Sequence, residues 1–306
     1  MAGPACLPTA IEAGIQAERA YAFTEAYQYY HRALDIWGRV PRPAELAPID
    51  QVGLLERAAE AAYLIGEDSR ALELLRAALN SVDRQRDPVR AALLLERLGR
   101  SLSVAWPTAD QAALAAYEDA IRLVRAQPSS AEQARVLAGY SYLLLSLSRY
   151  EDARQVAEEA MASARRGGAR REDGRALACL GAASGFLGDL NKGLAHLRHA
   201  RRTAEDQTDA DGLGLACGLL SDVNESAGRL SDALAAALDG AEATGRLGSP
   251  RWSSRFQGTA ANFAFRLGRW GGGRSAVPRL AGTKAASSGR GGVRAIGAGQ
   301  AGHRPR

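Results

Sequence analysis

The stretch SRYEDARQVAEEAM, residues 148–161, reads as a short turn followed by a helix whose buried face is made of alanine. Ala153, Ala157 and Ala160 lie four and then three residues apart, so they share one helical face. A helix packing alone on a core places larger side chains there. Alanine on that face points to a second helix pressed close against it.

The pattern recurs along the chain. Its first anchors are Ala26, Ala71, Ala113, Ala153, Gly193 and Ala233, spaced 45, 42, 40, 40 and 40 residues apart. Five residues before an anchor stands a small turn residue at Gly66, Ser148, Gly188 and Gly228. Upstream of each turn lies a further helical stretch, such as ARVLAGYSYLLLSL or RALACLGAASGFL. Each unit is therefore a helix A, a tight turn, a helix B and a connection. Glycine or serine suits a helix stop at a sharp reversal. Prolines 41, 43, 48, 88, 128 and 250 fall between units. One such unit cannot bury its apolar face, but stacked units can.

This spacing, Gly/Ser-x4-Ala-x3-Tyr/Leu/Ala-x2-Ala/Gly, together with Leu180-Gly181 in the fifth helix A, resembles the tetratricopeptide family over roughly residues 9–270. The third unit departs from the pattern around VAWPTAD. The family period is about 34, so helices or connections here must be longer. HEAT-like repeats share a period near 40 but do not account for the turn residue before each anchor. The expected fold is an all-α, right-handed superhelical solenoid of antiparallel helix pairs, about six and a half units over residues 1–270. Within that resemblance helix A lines the concave face, and family positions two, five, nine and twelve point inward. They select Glu60 and Tyr63, Arg135 and Tyr142, Arg175, Asp222 and Glu225, and Arg255 and Asn262 as binding candidates. Mixed charges and tyrosines suit a protein, a peptide or a small inducer.

ERAYAFTEAYQYYHRALDIWGRVP, residues 18–41, also resembles the opening helical repeats of large LuxR-type ATP-dependent transcription regulators. That resemblance implies a sensor or interaction arm excised from a longer regulator. A free-standing interaction protein unrelated to transcription is the other reading.

Catalysis has no support in the residues. No G-x-x-x-x-G-K-[ST] motif occurs. GAGQAG at 297–302 matches a dinucleotide fingerprint, but no room remains after it for the helix and strand such a site requires. His196 and His199 share a helix face without a carboxylate or thiol nearby to complete a metal set. The expectation is a non-catalytic scaffold with no cofactor and no metal. Cys6, Cys179 and Cys217 are few, odd in number and far apart, which suits a reducing cytoplasm and thiols used for packing. No apolar run reaches the roughly 20 residues of a membrane helix, so no membrane partner is expected. RRGGARRED, residues 165–173, reads as a solvated basic loop between units rather than a nucleic-acid contact of the array.

Residues 271–306 break the pattern. They hold ten glycines, seven basic residues and no acid, a composition expected to remain disordered. Removing those seven charges from the chain total of +5 leaves −2 for residues 1–270, so the basic balance belongs to the tail. The next anchor is due at 273, where Gly273 stands in GGGR. Two readings apply: a native basic arm, or an out-of-frame stretch, since GGGR codons shifted by one base can encode Ala-Glu-Ala and an acidic residue.

Overall fold

A computed structural model of the chain describes residues 6–105, 110–128 and 130–269. The irregular third turn falls partly, and the basic tail wholly, outside these residues. Among the described residues every regular element is a helix and none is a strand.

The helices are α1 (Cys6–Arg19), α2 (Phe23–Trp37), the single turn α3 (Pro43–Leu46), α4 (Gln51–Ile65), α5 (Asp68–Ser81), α6 (Pro88–Ala105) and α7 (Asp110–Arg125). They continue with α8 (Ala131–Ser146), α9 (Tyr150–Arg166), α10 (Arg170–Phe186), α11 (Leu190–Asp206), α12 (Ala210–Ser226), α13 (Leu230–Arg246) and α14 (Pro250–Arg266). Successive pairs, α1/α2 through α12/α13, form six helical hairpins, and α14 is the seventh helix A. The chain is a tetratricopeptide-like solenoid.

The long period comes from long helices. From α9 to α14 each helix has 17 residues. Residues at 148, 168, 188, 208, 228, 248 and 268 all have positive φ, so the turn recurs every twenty residues, between units as well as inside them. Each turn is closed by a six-to-one bond of the Schellman type. Asp189 N donates to Ser184 O at 2.9 Å, and Asp209, Arg229 and Ser249 repeat this to Ala204, Asn224 and Thr244. The stretch expected to be a basic loop is therefore a three-residue turn, and Arg170 already lies in α10. A six-to-one turn needs no extra chain, which is why a flexible linker does not form there. In the first connection, α3 takes up the extra residues behind the spacing of 45.

Glycine fills most of these left-handed positions, but Thr208 carries φ of 54°. A β-branched side chain is strained there. Thr208→Gly should raise stability by about 1 kcal/mol, readable as a higher chemical-denaturation midpoint at unchanged slope.

The alanine face behaves as the sequence suggests. Ala153, Ala157 and Ala160 are fully buried, and so are Ala233 and Ala237. Helix A meets each anchor with an equally small residue. Ser141 Oγ donates to the Ala153 carbonyl at 2.7 Å, and Ser221 Oγ to the Ala233 carbonyl at 2.9 Å. Forty residues from each serine stands Gly181, opposite Gly193, with no side chain on either partner. A Cβ on Gly193 would lie 2.6 Å from the Gly181 carbonyl and 2.7 Å from the Gly185 nitrogen. Backbones this close bury Gly193 against peptide groups rather than side chains.

The stack curls until its ends meet. α14 packs against α4, although four hairpins lie between the α4/α5 pair and α14 along the array. Arg251 at the start of α14 donates to the Tyr63 carbonyl at 2.7 Å and to Asp68 Oδ1 at 2.8 Å. The Tyr63 ring lies between two guanidinium groups, Arg251 at 4.0 Å and Arg100 at 4.2 Å from its centroid. Inside this closed curl the A helices face one another.

Candidate functional site

The interior of the curl is a chamber built from α4, α6, α7, α8, α10, α12 and α14. Its empty volume is about 690 Å³, part of it open to solvent. Five of the nine candidates line it: Tyr63, Arg135, Tyr142, Arg175 and Arg255. Glu60 lines the adjoining opening with Arg97 and Arg171. Asp222 is not part of that lining, and acts on it through the charge of Arg255. Glu225 lies further along α12 in an ion pair with Arg266, and Asn262 is exposed on α14.

Most of the inner charges are already engaged, in a ladder that runs from one helix A to another. Arg57 of α4 pairs with Glu18 of α1 at 2.7 Å. Arg100 of α6 pairs with Glu60 of α4 at 2.7 Å, and Arg135 of α8 with Glu96 of α6 at 3.2 Å. Arg175 of α10 pairs with Asp209 at the cap of α12 at 3.0 Å. Asp211 is shared: Trp252 Nε1 donates to it at 3.2 Å, while Arg100 and Arg175 stand at 3.7 and 3.9 Å. Each helix A contributes side chains that fix the pitch to a neighbouring unit, so the inner wall is preorganised before any ligand arrives.

Burial sets the protonation of the wall. Burial works to raise the Glu60 carboxyl, but Arg100, Arg97 and Arg135 outweigh it and bring it to about 2. Burial also raises the Tyr63 phenol, and with the nearby Glu96 it carries the Tyr117 phenol well above the ordinary tyrosine value. Asp222 goes the other way from Glu60. Burial pushes it up to about 6, because Arg255 offsets only part of the desolvation and Glu225 adds to it.

A carboxyl raised on folding binds its proton more tightly in the folded state. Its stability contribution is best below the unfolded value and falls as pH rises through about 6. Asp222→Asn should therefore stabilise the chain by about 1–2 kcal/mol at pH 7 and change nothing near pH 3.5, as denaturation at the two pH values would reveal.

Several chamber residues lie outside the nine positions the sequence selects. Tyr117 belongs to α7, a helix B, yet reaches the interior because Gly99 and Gly139 leave the gap its ring fills. A Cβ at either glycine would stand 2.7 or 2.8 Å from Tyr117. The signal was present in the sequence, as two glycines forty apart on consecutive A helices. Arg100, Glu96 and Val104 were hidden by the irregular third unit. Asp211 and Trp252 occupy first turns of their helices, ahead of or between the family positions.

The other motifs take structural places. Cys179 and Cys217 are fully buried, and burial pushes both thiols up to about 12, which suppresses thiolate chemistry. Among the described residues no three metal-ligating side chains converge. No described helix is long and apolar enough to cross a membrane.

No protein-family model and no curated protein matches the chain. Solved structures do. The apo form of RapI is 12% identical, with a TM-score of 0.59 over 86% of this chain and 99% of that one. The Rap conjugation gene regulator of plasmid pLS20, in complex with the Phr* peptide, is 13% identical, with a TM-score of 0.56 over 85% and 74%. A putative kinesin light chain from Podosopora anserina, with nearly identical TPR-like repeats, is 15% identical, with a TM-score of 0.51 over 68% and 98%. At these identities the likeness is one of fold, and the fold it establishes is that of TPR-like helical repeat proteins.

Proposed function

We propose that this chain is a non-catalytic binding scaffold whose ligand is a peptide or a protein segment held in the interior chamber. The observation that carries the reading is the preorganised chamber itself. Tyrosine and tryptophan walls alternate with arginines, which suits large, oriented contacts made at little entropic cost. One similar structure, the pLS20 regulator, is in complex with a peptide. The partner is taken up on the concave side, through Glu60, Tyr63, Arg135, Tyr142, Arg175, Asp222 and Arg255, with Glu225 and Asn262 on its approach. The array makes no direct contact with nucleic acid in this reading.

The wider setting we infer is the sensor part of a LuxR-type ATP-dependent transcription regulator, supported by the resemblance of residues 18–41. In that stretch Tyr30 and Ala33 are core residues of the first hairpin. An array independent of transcription is the alternative, and reading frames beside the gene that encode a P-loop ATPase and a helix-turn-helix would favour the regulator.

Selection from a displayed random peptide library on the immobilised chain tests the binding reading. Enriched peptides should lose binding to a Tyr142→Ala variant and keep it with Arg122→Ala, on the outer helix α7. Peptides that bind both variants equally would contradict a ligand in the chamber.

A further inference from the structure

Among the described residues the seventh hairpin has only its helix A, α14. In the three hairpins before it, one residue of helix A meets the anchor twelve positions later: Ser141 meets Ala153, Gly181 meets Gly193 and Ser221 meets Ala233. All three are buried. The fourth member of the series is Ala261 on α14, and it is exposed. Its neighbours on that face agree. Ser254 is exposed where Ala134, Gly174 and Gly214 are buried. Gln257 and Ala264 are half-buried where their counterparts on α8, α10 and α12 are buried. The opposite face is closed, since Phe256, Ala260 and Phe263 are buried against α13.

A cation stands unmatched at the same end. Arg149 pairs with Asp152 at 2.7 Å, and Arg229 with Asp232 at 2.6 Å. In both, the arginine directly follows the turn and the aspartate directly precedes the anchor. In α11 Asp189 takes the arginine's place and caps the helix itself. Arg269 follows the next such turn, at Gly268, and has no carboxylate within 4 Å among the described residues. Its neighbour Arg266 is already paired with Glu225. The chain's own sequence does not complete the pattern: residue 272, where the acid belongs, is glycine, and Pro278 interrupts any helix that would follow.

We propose that the outer face of α14, along Ser254, Gln257, Ala261 and Ala264, is a docking site for one helix of a partner protein. That helix is built like a helix B of this chain, with Asp or Glu directly before an alanine or glycine anchor. It runs antiparallel to α14, sets its anchor on Ala261 and gives its acid to Arg269. The site is separate from the chamber and does not rest on the peptide reading. The small side chains of the face allow the close approach seen in the other hairpins. On the inner ring α4 already stands beside α14, so this end admits one helix rather than a further unit. α14 carries three arginines and no acid, which disfavours pairing with the same face of a second copy.

Fluorescence anisotropy of the full chain with a labelled peptide of the α13 sequence, Leu230–Arg246, tests the proposal. A link between positions 235 and 239, both exposed in α13, holds the peptide helical. The expected result is saturable binding that Ala261→Arg weakens at least about tenfold, by filling the anchor's place. Arg122→Ala, on α7, should change nothing. Arg269→Asp should weaken binding about threefold, and a peptide carrying Asp232→Arg should recover it on that variant. Ala261 and Arg269 are exposed, so thermal unfolding of the free chain should be the same in both variants. Absence of peptide binding would overturn the proposal. So would binding lost with Tyr142→Ala but kept with Ala261→Arg, which would place the helix in the chamber. A lower melting temperature for the free Ala261→Arg chain would show the face already covered by the chain itself. A concentration-dependent dimer that this variant abolishes would show it covered by a second copy, and either result overturns the proposal.

Discussion

Gly193→Ala should destabilise the array, although the same substitution at Gly218 should stabilise it. Both glycines lie inside helices, α11 and α12, where alanine is favoured over glycine by about 1 kcal/mol. At Gly218 nothing lies closer than 4.0 Å to the new Cβ, so that preference is realised. At Gly193 the Cβ would meet the Gly181 carbonyl at 2.6 Å and Gly185 backbone atoms at 2.7 and 2.9 Å. None of these is a side chain that can rotate away, so α10 and α11 must move apart. Overpacking of this kind costs about 1–3 kcal/mol and here falls on rigid backbone, so a net loss of about 2 kcal/mol remains after the helix preference is counted. Paired denaturation curves check the sign. If the two variants shift the midpoint in the same direction, the close crossing of α10 and α11 is not what holds the middle of the array.

Glu60→Gln should be the most costly change in the inner wall. Glu60 is the shared partner of Arg100 at 2.7 Å and Arg97 at 3.7 Å, and all three side chains are largely withdrawn from solvent. Removing one partner leaves the others without compensation, which for buried ion pairs costs several kcal/mol; with the partial exposure here the expected loss is about 2–3 kcal/mol. The effect carries a pH signature. Because the Glu60 carboxyl is held down to about 2, its contribution is complete above its ordinary value of 4.5 and is lost as pH falls toward 2. The difference between wild type and variant should therefore shrink across that interval. An exposed pair on α9, Glu151 with Arg154, provides the comparison, where Glu151→Gln should change stability by less than about 0.5 kcal/mol. Equal effects at the two sites would show the inner ladder to be no stronger than a surface pair.

The helical repeat was legible because two local signals coincide. Alanine or glycine at the anchors and glycine or serine five residues earlier each follow from backbone geometry, which is a short-range property. The second set of turns, at 168, 208 and 248, was harder to see. Thr208 conceals one of them, and the basic residues around Gly168 read as loop although the first of them, at 165 and 166, end α9. The chamber was only partly legible. Family positions on regular helices led to Arg135, Tyr142, Arg175 and Arg255, which face inward by the same periodicity that sets the core. Tyr63 and Glu60 followed from the same rule. Arg100 and Tyr117 did not, since one lies in the irregular unit and the other crosses from the outer layer through a gap left by glycines. The closure of α14 on α4 was not legible at all. It depends on the summed curvature of the five hairpins from α4 to α13, and its contacts join residues more than 180 positions apart, such as Arg251 with Asp68 and with the Tyr63 carbonyl.

That closure turns a concave face into a chamber, so it is the claim on which the rest depends. It places the tip of the α1–α2 turn against the α13–α14 turn. A Cβ at Gly248 would lie 2.8 Å from Tyr21 Cβ, about an ångström short of the usual separation across a disulfide, roughly 3.8 Å. Both residues sit in turns, and both already have positive φ. Tyr21→Cys with Gly248→Cys, in a Cys6→Ser background, should form an intrachain disulfide under mild oxidation of the folded chain. The buried Cys179 and Cys217 take no part. Gel mobility and peptide mapping read the link directly. A closed curl should cross-link rapidly in native buffer and little in denaturant. Free thiols at both positions after native oxidation, with cross-linking no faster than in the unfolded chain, would mean that the curl stays open and that no enclosed chamber exists.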